Sequence, residues 1–184
     1  MGTSAARKLT YDDFLHFPDD GRRHELIDGV HYVTPSPATV HQRLLGRLYG
    51  ALHVYLQDHP VGEAFLSPLD ILLSPHDVVE PDLFVVMQEQ AAIVTEPNVI
   101  GAPAIVVEIL SPATRRRDVG IKRALFERTG VQEYWVIDPP GRTLAVYLRG
   151  PRGALEASAS LTGDESLTSS RLPGFSLPRE KLFG

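Results

Sequence analysis

No cysteine occurs in the 184 residues, which excludes disulfides, thiolate metal sites and cysteine nucleophiles. Any metal here must be held by oxygen or imidazole. Long apolar runs are missing too. None approaches the roughly 20 residues that a membrane-spanning helix needs, and the opening "MGTSAARKLT" lacks the apolar centre of a secretory signal. A cytoplasmic location with no membrane partner is therefore expected. Positive charge is also scarce: 18 lysines and arginines face 23 aspartates and glutamates, a formal charge of -5 and a pI near 5.8. That balance argues against a broad basic surface gripping nucleic acid nonspecifically, although Arg115, Arg116 and Arg117 offer a local basic patch.

What is present suits one globular domain over residues 1–184. Hydrophobic residues make up 43% and aromatics 8%, enough for a sizeable core at this length. Thr10 before "YDDFLHF" reads as an N-cap with acids in the first turn. In "RHELIDGVHYV", Asp28-Gly29 predicts a tight hairpin that carries Glu25 on or just before its first strand. From Pro37 to His59 apolar residues recur every three or four positions, the pattern of one long amphipathic helix with His41 and Gln42 in its first turns. "EAFLSPLDILLS" and "VVEPDLFVV" suggest a meander, and "APAIVVEIL" a central strand covered on both faces. A helix over 119–129, capped by Asp118 and stopped by Gly130, should follow. "EYWVID" and "TLAVYL" then make two strands about the turn "PPGR", with Trp135 and Tyr134 in the core, and "LPREKLFG" closes in a short helix or turn. The class is α/β or α+β, with one mixed sheet flanked by helices.

Two acids interrupt the apolar strands: Asp82 in "VVEPDLFVV" and Glu108 in "IVVEIL". Moving a carboxylate into a dry interior costs of order 20 kcal/mol in the idealised limit, and several kcal/mol after relaxation. Such a pair requires a shared cation. Magnesium favours one or two carboxylates plus water and phosphate oxygens, and it acidifies bound water while offsetting phosphoryl charge, which points to phosphodiester chemistry. On a helix over 119–129, Lys122 shares a face with Asp118, Leu125, Phe126 and Thr129, so its ammonium can reach toward the two acids.

These residues resemble the PD-(D/E)XK nuclease superfamily, through Asp82 after Pro81 and then Glu108. Together with "RHELIDG", "TPSPATVHQRLL", "EPDLFVV", "IVVEILSPATRRRD", "GVQEYWVIDPP" and "LPGF", the chain looks like the Uma2 branch, bacterial proteins labelled restriction endonucleases, over about residues 10–183. The resemblance implies a restriction-endonuclease-like fold, Asp82 and Glu108 as ligands of Mg2+ (Mn2+ as substitute), Lys122 as the catalytic lysine and Glu25 as an accessory acid. It also implies nucleic acid, DNA in particular, as the substrate and a homodimer as the working unit. One departure is clear: two residues after Glu108 the superfamily motif has lysine, whereas this chain has Leu110, so the role passes to Lys122 on the next helix.

Plainer roles compete at each position. Glu108 could pair with an arginine, and Asp82 could be a turn residue after Pro81. Lys122 could snorkel from its helix edge. Glu25 could bridge to Arg22 or Arg23 across strands, and His41 could be a structural hydrogen-bonder. Arg115 to Arg117 could be a solvated loop or touch a phosphate backbone. The functional alternatives to a magnesium-dependent endonuclease are a catalytically inactive nuclease fold that binds nucleic acid or protein, and a metal-free hydrolase using the two acids as acid and base.

Overall fold

The computed structural model describes residues 7–184; Met1 to Ala6, part of the segment read as lacking a signal, lie outside the described residues. Thr10 and Asp13 cap each other's backbone N–H groups, which starts α1 (Tyr11–Phe14). The expected hairpin follows as β1 (Arg23–Ile27) and β2 (Val30–Thr34), with Asp28 at φ 50° and Gly29 at φ 72° in the turn. Both φ values fall in the left-handed region, which Asp and Gly tolerate better than most residues.

The long helix is α2 (Thr39–Asp58), and its Leu44, Leu45, Leu48 and Leu52 form the buried stripe. Next come β3 (Gly62–Leu66), β4 (Ile71–Ser74), β5 (Asp77–Val79), β6 (Leu83–Met87), a 3-10 turn, β7 (Val99–Ile100) and β8 (Ile105–Ile109). Beyond β8 the chain crosses through a π-helical turn, Arg117–Lys122, and α3 (Arg123–Thr129), which ends at Gly130 with φ 101°. It finishes as β9 (Glu133–Asp138), β10 (Thr143–Arg149), β11 (Leu155–Leu161), β12 (Ser166–Thr168), β13 (Ser176–Pro178) and α4 (Arg179–Phe183).

A mixed sheet runs in the order β11-β10-β9-β8-β6-β3, parallel at β8–β9 and antiparallel elsewhere. Parallel neighbours require a crossover, and the π turn with α3 supplies it. A second sheet, β2-β1-β5-β4-β7, takes the opening hairpin, so the strands divide between two large sheets where one was expected. One core joins Val85, Val107, Trp135 and Ile137 to the α2 leucines. The other joins Phe84, Val106 and Tyr134 to Phe126 of α3 and to Ile27 and Val79 of the second sheet. Alternate residues of β6, β8 and β9 thus serve opposite cores, which is why "IVVEIL" is apolar throughout.

The helix expected from an Asp118 cap is corrected. Arg116 occupies the N-cap position without a side-chain bond, and Asp118 lies buried within the π turn. Closing i→i+5 bonds widens the turn, so Asp118 and Lys122 both face inward while Val119 and Ile121 are exposed. Among the described residues no helix is long and apolar enough to cross a membrane.

Leu48 is fully buried at the centre of the α2 stripe. Leu48→Ala is expected to lower the unfolding free energy by about 2–5 kcal/mol in urea denaturation.

Candidate active site

Strand register brings the two acids together. Leu83 pairs with Val107 and Phe84 with Val106, so Asp82, one step before β6, stands opposite Glu108 on the face toward the second sheet. Side chains of such opposed residues are near neighbours. Glu25 comes from β1 of the second sheet, and Lys122 from the crossover. The Lys122 Nζ lies 2.6 Å from Glu108 Oε1 and 2.6 Å from Glu25 Oε1, with both it and Glu25 at 0% exposure. The structure therefore joins Glu25, Glu108 and Lys122 directly and sets Asp82 beside Glu108.

Asp82 has its own partners. Its Oδ1 accepts from Arg23 Nη1 at 2.8 Å. Its Oδ2 accepts from the Ile109 backbone N–H at 2.7 Å and lies 3.0 Å from His41 Nε2. Burial would raise the Asp82 carboxyl, but the His41 hydrogen bond and the Arg23 and His41 charges hold it down at about 2. Burial pushes Glu108 well above the usual carboxylate range; Lys122 opposes this, while Asp118, Asp82 and Glu25 add to it. Burial alone would lower Lys122, yet Glu108, Glu25 and Asp118 raise it above its ordinary value. The lysine therefore stays charged, and at Glu108 burial is the main upward influence, with the neighbouring acids adding to it.

A second ring of groups surrounds these four. Arg117 Nη2 lies 3.3 Å from Glu25 Oε2 and donates to Thr34 Oγ1 at 2.5 Å, and its guanidinium sits over the Tyr32 ring. Tyr134 donates to the Asp118 carbonyl at 3.0 Å, which pins the π turn. Glu25 Oε1 also accepts the Glu80 backbone N–H at 3.1 Å.

A cleft of about 460 Å³ opens onto this centre, lined by Arg22, Arg23, His41, Gln42, Glu80 and Asp82 among others. Glu108 and Lys122 lie behind that lining. The donors fit a magnesium ion: they are hard oxygens, the buried Glu25 Oε2 and Asp118 Oδ1 lack hydrogen-bond partners, and Glu25, Asp82, Glu108 and Asp118 outnumber Arg23, Arg117 and Lys122. Among the described residues no group of three or more His, Asp or Glu side chains is arranged to hold a metal ion. A magnesium ion here would complete its shell with water and substrate oxygens, as it commonly does.

Several of these neighbours have roles the sequence reading did not give them. Arg117 packs half-buried against Glu25, its side chain 10% exposed, and is not part of a solvated loop. Glu25 pairs with Lys122 and Arg117, not with Arg22 or Arg23. Arg23 holds Asp82, and the available signal was its place two residues before Glu25 on one strand, which puts both on one face. His41 reaches Asp82 from the first turn of α2. Glu80 and Asp70 had no assigned place; only the fold brings them side by side near the site.

The mixed sheet with helices about it, and Lys122 on the β8–β9 crossover, form an α+β fold. The model of the Uma2 family, described as "Putative restriction endonuclease", matches residues 11–180, and the chain belongs to that family. Among solved structures, "a putative nuclease belonging to DUF820" from Anabaena variabilis ATCC 29413 is similar at 24% identity, with a TM-score of 0.79, covering 95% of this chain and 97% of that one. That likeness is one of fold. No protein of curated function matches the sequence.

Burial and the neighbouring Asp70 lift the Glu80 carboxyl from its ordinary 4.5 to about 7. Below 4.5 it is protonated in both folded and unfolded chains; between those values only the unfolded chain releases the proton, so stability falls as pH rises through that window. Glu80→Gln removes the ionisation and keeps a hydrogen-bond donor. In EDTA its melting temperature should gain on the wild type between about pH 5 and about pH 7.5; an unchanged difference would contradict the assignment.

Proposed function

We propose that the chain is a magnesium-dependent endonuclease that hydrolyses phosphodiester bonds of nucleic acid, with DNA as its substrate. The observation that carries this reading is the meeting of Asp82, Glu108 and a fully buried, charged Lys122 behind one cleft. Family membership supports the same reaction class.

Asp82 and Glu108 would hold the ion, which when bound lowers the pKa of a coordinated water and offsets phosphoryl charge. His41 and the Ile109 N–H fix the Asp82 carboxylate, so its orientation is set before any ligand arrives. Lys122 has three N–H donors; it donates one to Glu108 Oε1 and its Nζ also stands 2.6 Å from Glu25 Oε1. Its remaining donor capacity would orient a water or stabilise a phosphorane oxygen. Arg22 and Gln42 at the cleft offer donors to the flanking phosphates.

A second reading, a binding module on the nuclease fold, is favoured by one observation: Asp82 and Glu108 already have protein cations at hydrogen-bond distance. Labelled DNA and RNA, single- and double-stranded, separate the two. Cleavage is expected with Mg2+ or Mn2+ and not in EDTA, falling about 100-fold or more in Asp82→Asn, Glu108→Gln and Lys122→Met. Binding that is indifferent to metal, with no cleavage, would favour the module.

A further inference from the structure

Arg23 touches a proposed metal ligand and lines the cleft, yet the proposed reaction gives it no task. It is held by two acceptors, Asp82 Oδ1 at 2.8 Å and the Glu80 carbonyl at 3.0 Å. The charges acting on it most strongly are Asp82, then Glu108, then Glu25, so its guanidinium sits in the field of the acid pair. Its side chain is 18% exposed and lines the cleft, whereas Lys122 is sealed in and Glu108 lies out of reach behind the lining. A cation entering from the cleft would meet Arg23 before it met Glu108. A divalent ion and a guanidinium cannot both sit against Asp82 Oδ1 without strong repulsion. Of the lysine and arginine in contact with the pair, only Arg23 borders the open cleft; His41 lines it too, but holds the other Asp82 oxygen, Oδ2.

We infer that Arg23 is the resident counter-cation of the Asp82–Glu108 pair in the ion-free protein, and that divalent-ion binding is an exchange in which its guanidinium leaves Asp82 for the cleft. This inference rests on the metal-dependent reading above. In the cleft the freed guanidinium faces the space that a substrate phosphate would occupy, and its planar donor fork suits phosphate oxygens. Arg23 then stabilises the ion-free state selectively. By linkage, its removal weakens that state and tightens ion binding.

The full chain carrying Arg23→Gln or Arg23→Lys tests the exchange, with Mn2+ affinity from calorimetry and from the free-ion spin resonance signal, and with melting in EDTA and in saturating Mn2+. Arg23→Gln is expected to bind Mn2+ about tenfold more tightly than wild type, to melt lower in EDTA, and to match wild type in saturating Mn2+. A variant that folds only with Mn2+ present gives the same result in stronger form. Arg23→Lys keeps the charge through a single-point contact and should bind Mn2+ at least as tightly as wild type. Unchanged or weaker affinity in folded Arg23→Gln, weaker affinity in Arg23→Lys, or a melting deficit that persists undiminished in Mn2+ would overturn the exchange while leaving the metal site standing. If neither wild type nor Arg23→Gln bound Mn2+, the metal reading itself would fall, and the exchange with it.

Discussion

The Lys122 ammonium, bridging Glu25 and Glu108 at 2.6 Å each, ties three parts of the chain together. Glu25 belongs to the second sheet, Glu108 to the central one, and Lys122 to the crossover that makes β8 and β9 parallel. Removing the lysine would leave Glu108 buried without its cation and Glu25 with Arg117 alone, a loss that typically costs about 3–5 kcal/mol. Well-packed apolar residues of similar volume often stabilise a fold as well or better. The ionic bridge therefore asks for a reason beyond packing, and the adjoining Asp82 and cleft give one.

Burial of an acid does not by itself mark a site, and Glu133 makes the difference clear. It is fully buried on β9, next to β8, yet its oxygens accept from Trp135 Nε1, from the Ser169 and Ser170 hydroxyls, and from the backbone N–H groups of Ser170 and Arg171. Uncharged donors satisfy both of its oxygens, and it is not part of the lining of the cleft at Asp82. Glu108 is matched by a lysine, and burial pushes its carboxyl up with neighbouring acids adding to the rise. What separates the two is the partner, not the depth.

Local chemistry made much of the fold legible. The Thr10 cap, the Asp28-Gly29 turn, the leucine stripe of α2 and the continuous apolar run of β8 each follow from short-range rules. The division of strands between two sheets was not legible, because pairings such as Leu26 with Val78 join residues far apart in sequence. Nor was the π turn, whose six residues carry no distinctive spacing. Asp82 and Glu108 stood out because charge in an apolar run is conspicuous, Lys122 because it falls on the helix stripe that packs on the sheet, and Glu25 through the family resemblance. Arg23, Arg117 and Glu80 did not, since each sits in a charged or turn-like stretch that reads equally well as surface.

The central claim is that Asp82 and Glu108 can share a hard dication once Arg23 yields its place. Anomalous diffraction from crystals grown with Mn2+ addresses it most directly. The account predicts one strong peak at coordination distance from both carboxylates, with the Arg23 guanidinium withdrawn from Asp82. Arg23 still 2.8 Å from Asp82 Oδ1, with no anomalous peak between the acids, would contradict it.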